Sequence, residues 1–193
     1  LPEESLITSI AVVFPETIAI SVNCSGIMLY DYLTLAQKTS LSAKSVSLIL
    51  LTSTRLACID SQKIIKTWNL YDHGTKSRFH GLLWRHTHAI QDLQFCKDII
   101  VSFDKYECIL WSWNTKCAIK VINSEIHRAI IYKNLVYLFC IQDLQIFSQT
   151  KDQISKSHHF PLSFIMKEYD QIFLNSDSII VKTRLAEHKY SIY

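Results

Sequence analysis

The stretch "KIIKTWNLYD", Lys63 to Asp72, alternates apolar and polar side chains and then sets a tryptophan beside an asparagine. Successive side chains of an extended backbone point to opposite faces, so alternation at period two is the pattern of a half-buried strand. One such strand says little about a fold. A series of them at regular spacing says a great deal.

The rest of the chain is written in the same way. "SIAVVF", "IAISV", "VSLILL", "IIKTW", "IQDLQF", "IIVSF", "LVYLFCI", "LQIF", "QIFL" and "SIIVKT" are short apolar runs rich in Val, Ile and Phe. Asp, Asn, Ser, Lys and Thr separate them, which is strand composition. The best helix candidates are "YDYLTLAQK" and "NSEIHRAIIYK", and neither keeps a 3.6-residue apolar stripe beyond two turns. The expectation is an all-β chain.

A recurrence lies over the alternation. An aromatic followed by a polar residue closes strands at Tyr30-Asp31, Trp68-Asn69 and Trp113-Asn114, with weaker echoes at Phe147-Ser148 and Thr183-Arg184. Steps of 38, 45, 34 and 36 residues separate the polar members. A period near 40 residues, with about four strands in each, is the spacing of propeller blades. The expected fold is β-propeller-like, a single region over residues 1–193 with about five four-stranded blades near 5–41, 42–84, 85–122, 123–155 and 156–193. A four-stranded blade is apolar on both faces and cannot cover both alone. An open row would also leave an exposed strand edge, so the row is read as part of a larger or completed ring.

The residues that carry this pattern resemble the WD-repeat family. "LACIDSQKIIKTWNL", Leu56 to Leu70, is similar to the second half of a WD-repeat blade without a gap, with Asn69 where the family has aspartate. "IAISVNCSGIMLYDY" fits the same frame through Tyr30-Asp31, and "RHTHAIQDLQFCKDIIVSFDKYECILWSWNT" resembles a blade opened by Gly-His, with Arg85 in the glycine position and His86 as the histidine. The resemblance covers about residues 9–115 and carries less of 116–193. It implies that His86, Asp104 and Trp113 form a hydrogen-bonded brace within one blade, and that Asp60 or Ser61 is the turn residue of the blade before it. These are structural roles. The scarcity of glycine, at Gly26, Gly74 and Gly81 alone, marks the chain as divergent, since turns favour glycine.

Composition narrows the function. Apolar residues make up 49% and charged residues 19%, which is globular, and the net charge of +3 is too small to drive nucleic-acid binding unless concentrated. No run approaches the ~20 apolar residues of a membrane helix. The N-terminus "LPEESLITS" lacks the basic and apolar regions of a secretion signal. It opens on Leu1 rather than methionine, as a processed chain or an excerpt would. Six cysteines lack CxxC spacing and are read as reduced apolar residues. The sequon Asn23-Cys24-Ser25 is then coincidental, and the expected location is intracellular, nucleus or cytoplasm.

Chemistry is harder to find. There is no Gly-x-Ser-x-Gly, P-loop or dinucleotide turn, and Glu3, Glu4, Glu107 and Asp170 are isolated carboxylates. Cys108 and Cys117 flank a Trp-rich strand with no evident base. His73, His80, His86 and His88 crowd one stretch, yet no cysteine lies between Cys58 and Cys96 to complete a zinc site. No catalytic residue, metal, cofactor or small-molecule substrate is expected. His158-His159 is read as a surface pair with one ring out and one packed.

One segment stands apart. "HGTKSRFHGLLWRHTH", His73 to His88, holds Lys76, Arg78, Arg85, Phe79 and Trp84 and no acid. It is expected as a protruding basic loop that meets a partner. The reading favoured is a non-catalytic, protein-binding scaffold subunit of an intracellular multiprotein complex. The alternative is a propeller factor associated with RNA or ribonucleoprotein, with this loop on phosphate.

Overall fold

The structure is a computed structural model that describes residues 6–23, 26–43, 46–149, 154–162, 171–174, 178–183 and 186–191. Leu1, Glu3, Glu4, Cys24, Ser25, Asp170 and Arg184, considered above, lie outside the described residues.

Every apolar run singled out in the sequence overlaps a strand. The first sheet is β1 (Ile7–Val13), β2 (Thr17–Val22), β3 (Gly26–Asp31) and β4 (Gln37–Leu41). The second is β5 (Leu48–Leu51), β6 (Arg55–Ile59), β7 (Ile65–Tyr71) and β8 (Lys76–Leu83). The third is β9 (Asp92–Cys96), β10 (Ile99–Phe103), β11 (Glu107–Ser112) and β12 (Ala118–Asn123). The fourth is β13 (Ile126–Tyr132), β14 (Leu135–Cys140), β15 (Asp143–Gln149) and β16 (Ile154–Pro161). The fifth is β17 (Gln171–Leu174), β18 (Ser178–Lys182) and β19 (Glu187–Ser191). Each sheet is an antiparallel meander in chain order. In the first four sheets the first strands lie side by side, β5 between β1 and β9 and β9 beside β13. This is an all-β, propeller-like arrangement, with sheets fanning out from a row of inner strands. Both helix candidates are extended: Ile126–Tyr132 is β13, and the stretch from Tyr30 runs from β3 through a turn into β4. The fourth sheet continues to Pro161, past the break expected after residue 155.

The apolar residues collect into four clusters, each between consecutive sheets. Ala19, Ile27 and Leu29 meet Leu56, Cys58 and Trp68; Ala57, Ile59 and Ile65 meet Ile100, Ile109 and Trp111; Val101, Cys108 and Leu110 meet Val136, Leu138 and Phe147; and Tyr137, Phe139 and Ile146 meet Ile179 and Val181. Fully burying one such large side chain stabilises by roughly 1.5–3 kcal/mol, so the seams, more than the ladders, hold the row together. No helix among the described residues is long and apolar enough to cross a membrane.

The ladders fix which residues are equivalent from sheet to sheet. In the pairing of third with fourth strand, the register shifts just before Tyr30, Trp68, Trp111 and Phe147. A bulge there re-aims the side chain that follows it. The third aromatic of the series is therefore Trp111, followed by Ser112; Trp113-Asn114, taken for this position from the sequence, lies two residues further on. The steps between aromatics become 38, 43 and 36.

Trp113 has already left the strand. Its N–H donates to the Asp98 carbonyl, and it starts a loop that repeats the one after β3. The Leu35 N–H donates to the Asp31 carbonyl and the Asp31 N–H to that of Ala36, as the Lys116 N–H donates to Ser112 and the Ser112 N–H to Cys117 in the second loop, with Leu35 at φ 57° and Lys116 at φ 60°. Trp113 thus corresponds to Tyr32. Thr183 stands in the hairpin between β18 and β19, where its hydroxyl accepts from the Ala186 N–H, and not in a third strand.

Candidate protein-binding site

The third sheet holds a buried polar chain. Trp111 Nε1–H donates to Ser102 Oγ at 2.7 Å, and Ser102 Oγ lies 2.7 Å from His86 Nε2. The Asp104 carboxylate can only accept, so His86 donates its Nδ1–H to Oδ2 at 3.0 Å, and its Nε2 accepts from the Ser102 hydroxyl, which itself accepts from the indole N–H. Asp104 Oδ1 in turn accepts from the N–H groups of Tyr106 and Glu107, closing the hairpin between β10 and β11. Burial raises the Asp104 pKa, but these amide bonds and His86 outweigh it and hold the carboxyl below its ordinary value. The network joins His86 and Asp104 as expected, with Trp111 as its indole and Ser102 as the link. Ser102 was legible only as the polar residue in the apolar run "IIVSF".

Glu107 Oε1 sits 3.3 Å from His86 Nδ1, buried and without a hydrogen-bond partner. Among the described residues, His86, Asp104 and Glu107 are the group whose ligand atoms lie close enough for a metal, within 4.8 Å of one another. Nδ1 and Oδ2 already satisfy each other, so the arrangement is that of a brace.

A second node ties the second sheet to the third. Trp113 Nε1–H donates to Asn69 Oδ1 at 3.2 Å, Asn69 Nδ2–H to His80 Nδ1 at 3.2 Å, and His80 Nε2–H to the Trp113 carbonyl at 2.6 Å. The His80 ring stacks on the Trp113 ring at 4.8 Å, and the Arg55 guanidinium lies 5.0 Å from the same ring while pairing with Asp98. Asn69 gives and receives at once, which an aspartate could not. A shallow pocket of about 380 Å³ opens beside this triangle, lined by Thr54, Arg55, Tyr71 and the exposed Asn114.

The remaining structural positions serve turns and seams. Asp60 is buried, accepts from the N–H groups of Gln62 and Ile64, and pairs with Lys66 at 3.2 Å. Asp31 caps the turn after β3; the Thr34 N–H and hydroxyl, Lys38 and the Leu33 N–H lower its pKa to about 2. Trp68 packs under the first sheet, and Tyr30 lies on that sheet's other face, which joins none of the apolar clusters of the described residues.

The segment 73–88 is a strand for half of its length and not a protruding loop. Lys76–Leu83 forms β8, the outermost strand of the second sheet, because its backbone completes the ladder with β7. Two of its four histidines are absorbed into the fold, His80 in the triangle and His86 in the brace, while His73 and His88 are exposed. Lys76 pairs with Asp72 at 2.7 Å. The bulge opposite Trp68 sets Phe79 and Leu82 on one face, since they pair with Trp68 and Lys66. Phe79, Leu82 and Trp84 are 53%, 46% and 76% exposed, flanked by the exposed Arg78 and Arg85. The segment offers an apolar stripe with a basic border. His158 and His159 are both exposed, because β16 is likewise outermost; His159 pairs with Asp143 and His158 stacks on Phe160.

No protein-family model matches the sequence, and no curated protein matches it. Solved structures do. The computationally designed Ika8 protein aligns over 96% of this chain and 58% of its own, at 12% identity and a TM-score of 0.72. Kluyveromyces lactis Hsv2 aligns over 97% and 61%, at 13% identity and a TM-score of 0.65. The computationally designed Ika4 protein aligns over 83% and 94%, at 17% identity and a TM-score of 0.57. At these identities the likeness is one of fold, and the chain spans about three-fifths of the length of Ika8 and Hsv2.

Proposed function

We propose that this chain is a non-catalytic, protein-binding scaffold unit of the WD-repeat type, working inside the cell as a subunit of a larger assembly. The observation that carries the reading is the contrast between its polar and apolar groups. Buried His86 and Asp104 are tied into the brace of the third sheet, while Phe79 and Leu82 stand exposed along β8 and Trp84 just past its end. An exposed row of large apolar residues with arginines at its border is the composition of a protein-binding surface. The brace of Trp111, Ser102, His86 and Asp104, and the aromatic–polar pairs Tyr30-Asp31 and Trp68-Asn69, support the WD-repeat kinship. Cys58, Cys96, Cys108, Cys117 and Cys140 are unpaired, in keeping with a reducing compartment.

The test is affinity purification of the chain and of a Phe79→Asp/Trp84→Asp variant from the cells that make it. Proteins retained by the first and lost by the second support the reading. Material that is released by ribonuclease, or whose binding falls steeply with salt, would transfer the stripe and its arginines to RNA instead.

A further inference from the structure

We infer that His86, His88, Asp104 and Glu107 form a zinc(II) site, in which the ion takes the place of the proton that His86 otherwise gives to Asp104. The site does not depend on what the exposed stripe of β8 binds.

The four residues come from two segments held against each other. His86 and His88 lie between β8 and β9, in a stretch that Lys63 anchors by donating to the Thr87 carbonyl at 2.8 Å. Asp104 and Glu107 stand at the two ends of the hairpin that joins β10 to β11. Their side chains converge. His86 Nδ1 is 3.0 Å from Asp104 Oδ2 and 3.3 Å from Glu107 Oε1, and the three atoms lie within 4.8 Å of one another. His88 Nδ1 is 4.0 Å from Asp104 Oδ2. A tetrahedral zinc ion with ligands at about 2.0–2.2 Å sets neighbouring ligand atoms about 3.4 Å apart, so small side-chain rotations seat it. The lack of a nearby cysteine argued against zinc in the sequence; two carboxylates stand in that place.

Charge is the reason to expect a cation. The side chains of His86 and Asp104 are 1% and 0% exposed, and that of Glu107 is 15% exposed. Nδ1 has one hydrogen and faces two carboxylates. Asp104 takes it, and Glu107 Oε1 is left buried with no hydrogen-bond partner. A second carboxylate beside it adds repulsion to the cost of burial. A water molecule would satisfy the oxygen but not the charge. A divalent cation does both, and brings two carboxylates and two neutral imidazoles to zero net charge.

The rest of the network accommodates the exchange. An ion on Nδ1 moves the remaining ring hydrogen to Nε2, 2.7 Å from Ser102 Oγ. Ser102 Oγ has two lone pairs, so it accepts from both Nε2–H and the Trp111 N–H, while its own hydroxyl turns to the Ile109 carbonyl, 3.5 Å away. Such an outer partner fixes the tautomer and orientation of a metal-bound imidazole. Asp104 Oδ1 keeps the amides of Tyr106 and Glu107. His88, 54% exposed and edge-on to Tyr106 at 4.7 Å, closes the outer side once its Nδ1 leaves the Thr87 hydroxyl. Four protein ligands leave no open position, so the ion braces the third sheet and performs no chemistry.

The test strips the full chain with a chelator, which leaves the proton-held brace, and titrates it with zinc chloride. Equilibrium dialysis should find one tight zinc ion per chain, and the thermal midpoint should rise with zinc. In ¹⁵N-histidine NMR, His86 should change from the Nδ1–H to the Nε2–H tautomer. Glu107→Gln, which keeps the metal-free brace, should weaken zinc binding at least about tenfold and lose the midpoint rise, and His88→Ala should weaken it as well. The exposed His158→Ala should alter neither. No tight ion, an Nδ1–H tautomer that persists with zinc, equal affinity in the parent and Glu107→Gln, or a loss of binding in His158→Ala would each overturn the inference.

Discussion

Replacing Asp104 with asparagine tests the reasoning about buried polar groups most directly. The amide oxygen can still accept from the Tyr106 and Glu107 N–H groups, bonds of 2.7 and 2.9 Å in the parent. The amide nitrogen would then face His86 Nδ1–H across 3.0 Å, donor against donor. A hydrogen bond to a charged group contributes about 1.5–3 kcal/mol, and its loss leaves a buried N–H unpaired. Glu107 Oε1, 3.3 Å from Nδ1, can take over part of that N–H. The expected cost is therefore about 2 kcal/mol, a fall of roughly 4–8 °C in thermal midpoint for a chain of this length. Glu107→Gln alone should be near neutral, because it neutralises an oxygen with no hydrogen-bond partner. The double variant should cost about 1 kcal/mol more than the two singles together. Urea unfolding followed by tryptophan fluorescence reads all four proteins. The folded pKa of Asp104 is depressed below 3.8, so its stabilising contribution is complete at neutral pH and is lost as pH falls through 3.8 and the lower folded value. The gap between parent and Asp104→Asn should close over that acid range. A variant within about 0.5 kcal/mol of the parent at pH 7, or a gap that persists unchanged to pH 3, would refute the account.

Three other outcomes follow from the packing. Trp68→Ala and Trp111→Ala should each cost about 3–5 kcal/mol in urea, while Tyr30→Ala, in the same ladder position but on a face that joins none of the apolar clusters, should cost under about 1 kcal/mol; equal losses at all three would contradict the assignment of the faces. Asn69→Asp introduces the aspartate of the WD-repeat pattern yet should lower stability by about 1 kcal/mol, because the triangle with His80 and Trp113 loses its donor; a more stable variant by the same assay would contradict the assigned bonds. Among the described cysteines, Cys117 should react with a disulfide reagent at pH 8 well before Cys58, Cys96, Cys108 and Cys140, as read by mass spectrometry of labelled peptides. Burial pushes the Cys58 and Cys140 thiols up to about 12 and raises those of Cys96 and Cys108 as well, whereas Cys117 is exposed.

Much of the architecture was legible because its cause is local. Alternation of apolar and polar residues comes from the geometry of an extended backbone, so strands could be found without knowing their partners. Their spacing then implied repeating sheets. The site residues divide along the same line. Asp60 and Asp104 were readable as turn residues because a turn aspartate binds amides a few positions away. Asn69 was noticed as a departure from aspartate, but its reason lies in His80, eleven residues on, and in Trp113 of the next sheet. The assignment of Trp113 in place of Trp111 shares this origin. Both are tryptophans at the end of one strand, and only the bulge, a property of the pairing with β12, separates them.

The segment 73–88 shows the limit most clearly. Its basic, histidine-rich composition suggested a loop, because composition carries no information about an outer strand's ladder. Once β8 pairs with β7, the same residues become a bracing histidine on one side and an exposed apolar stripe on the other.

By itself the amino-acid order determined that this protein is a row of small antiparallel sheets, since period-two alternation and a repeat near 40 residues are written along the chain. Tertiary structure alone decided which aromatic fills each seam, which polar groups complete one another, and which faces meet. Those outcomes depend on contacts between residues far apart in the chain, set by register and by the neighbouring sheet, and no local pattern encodes them.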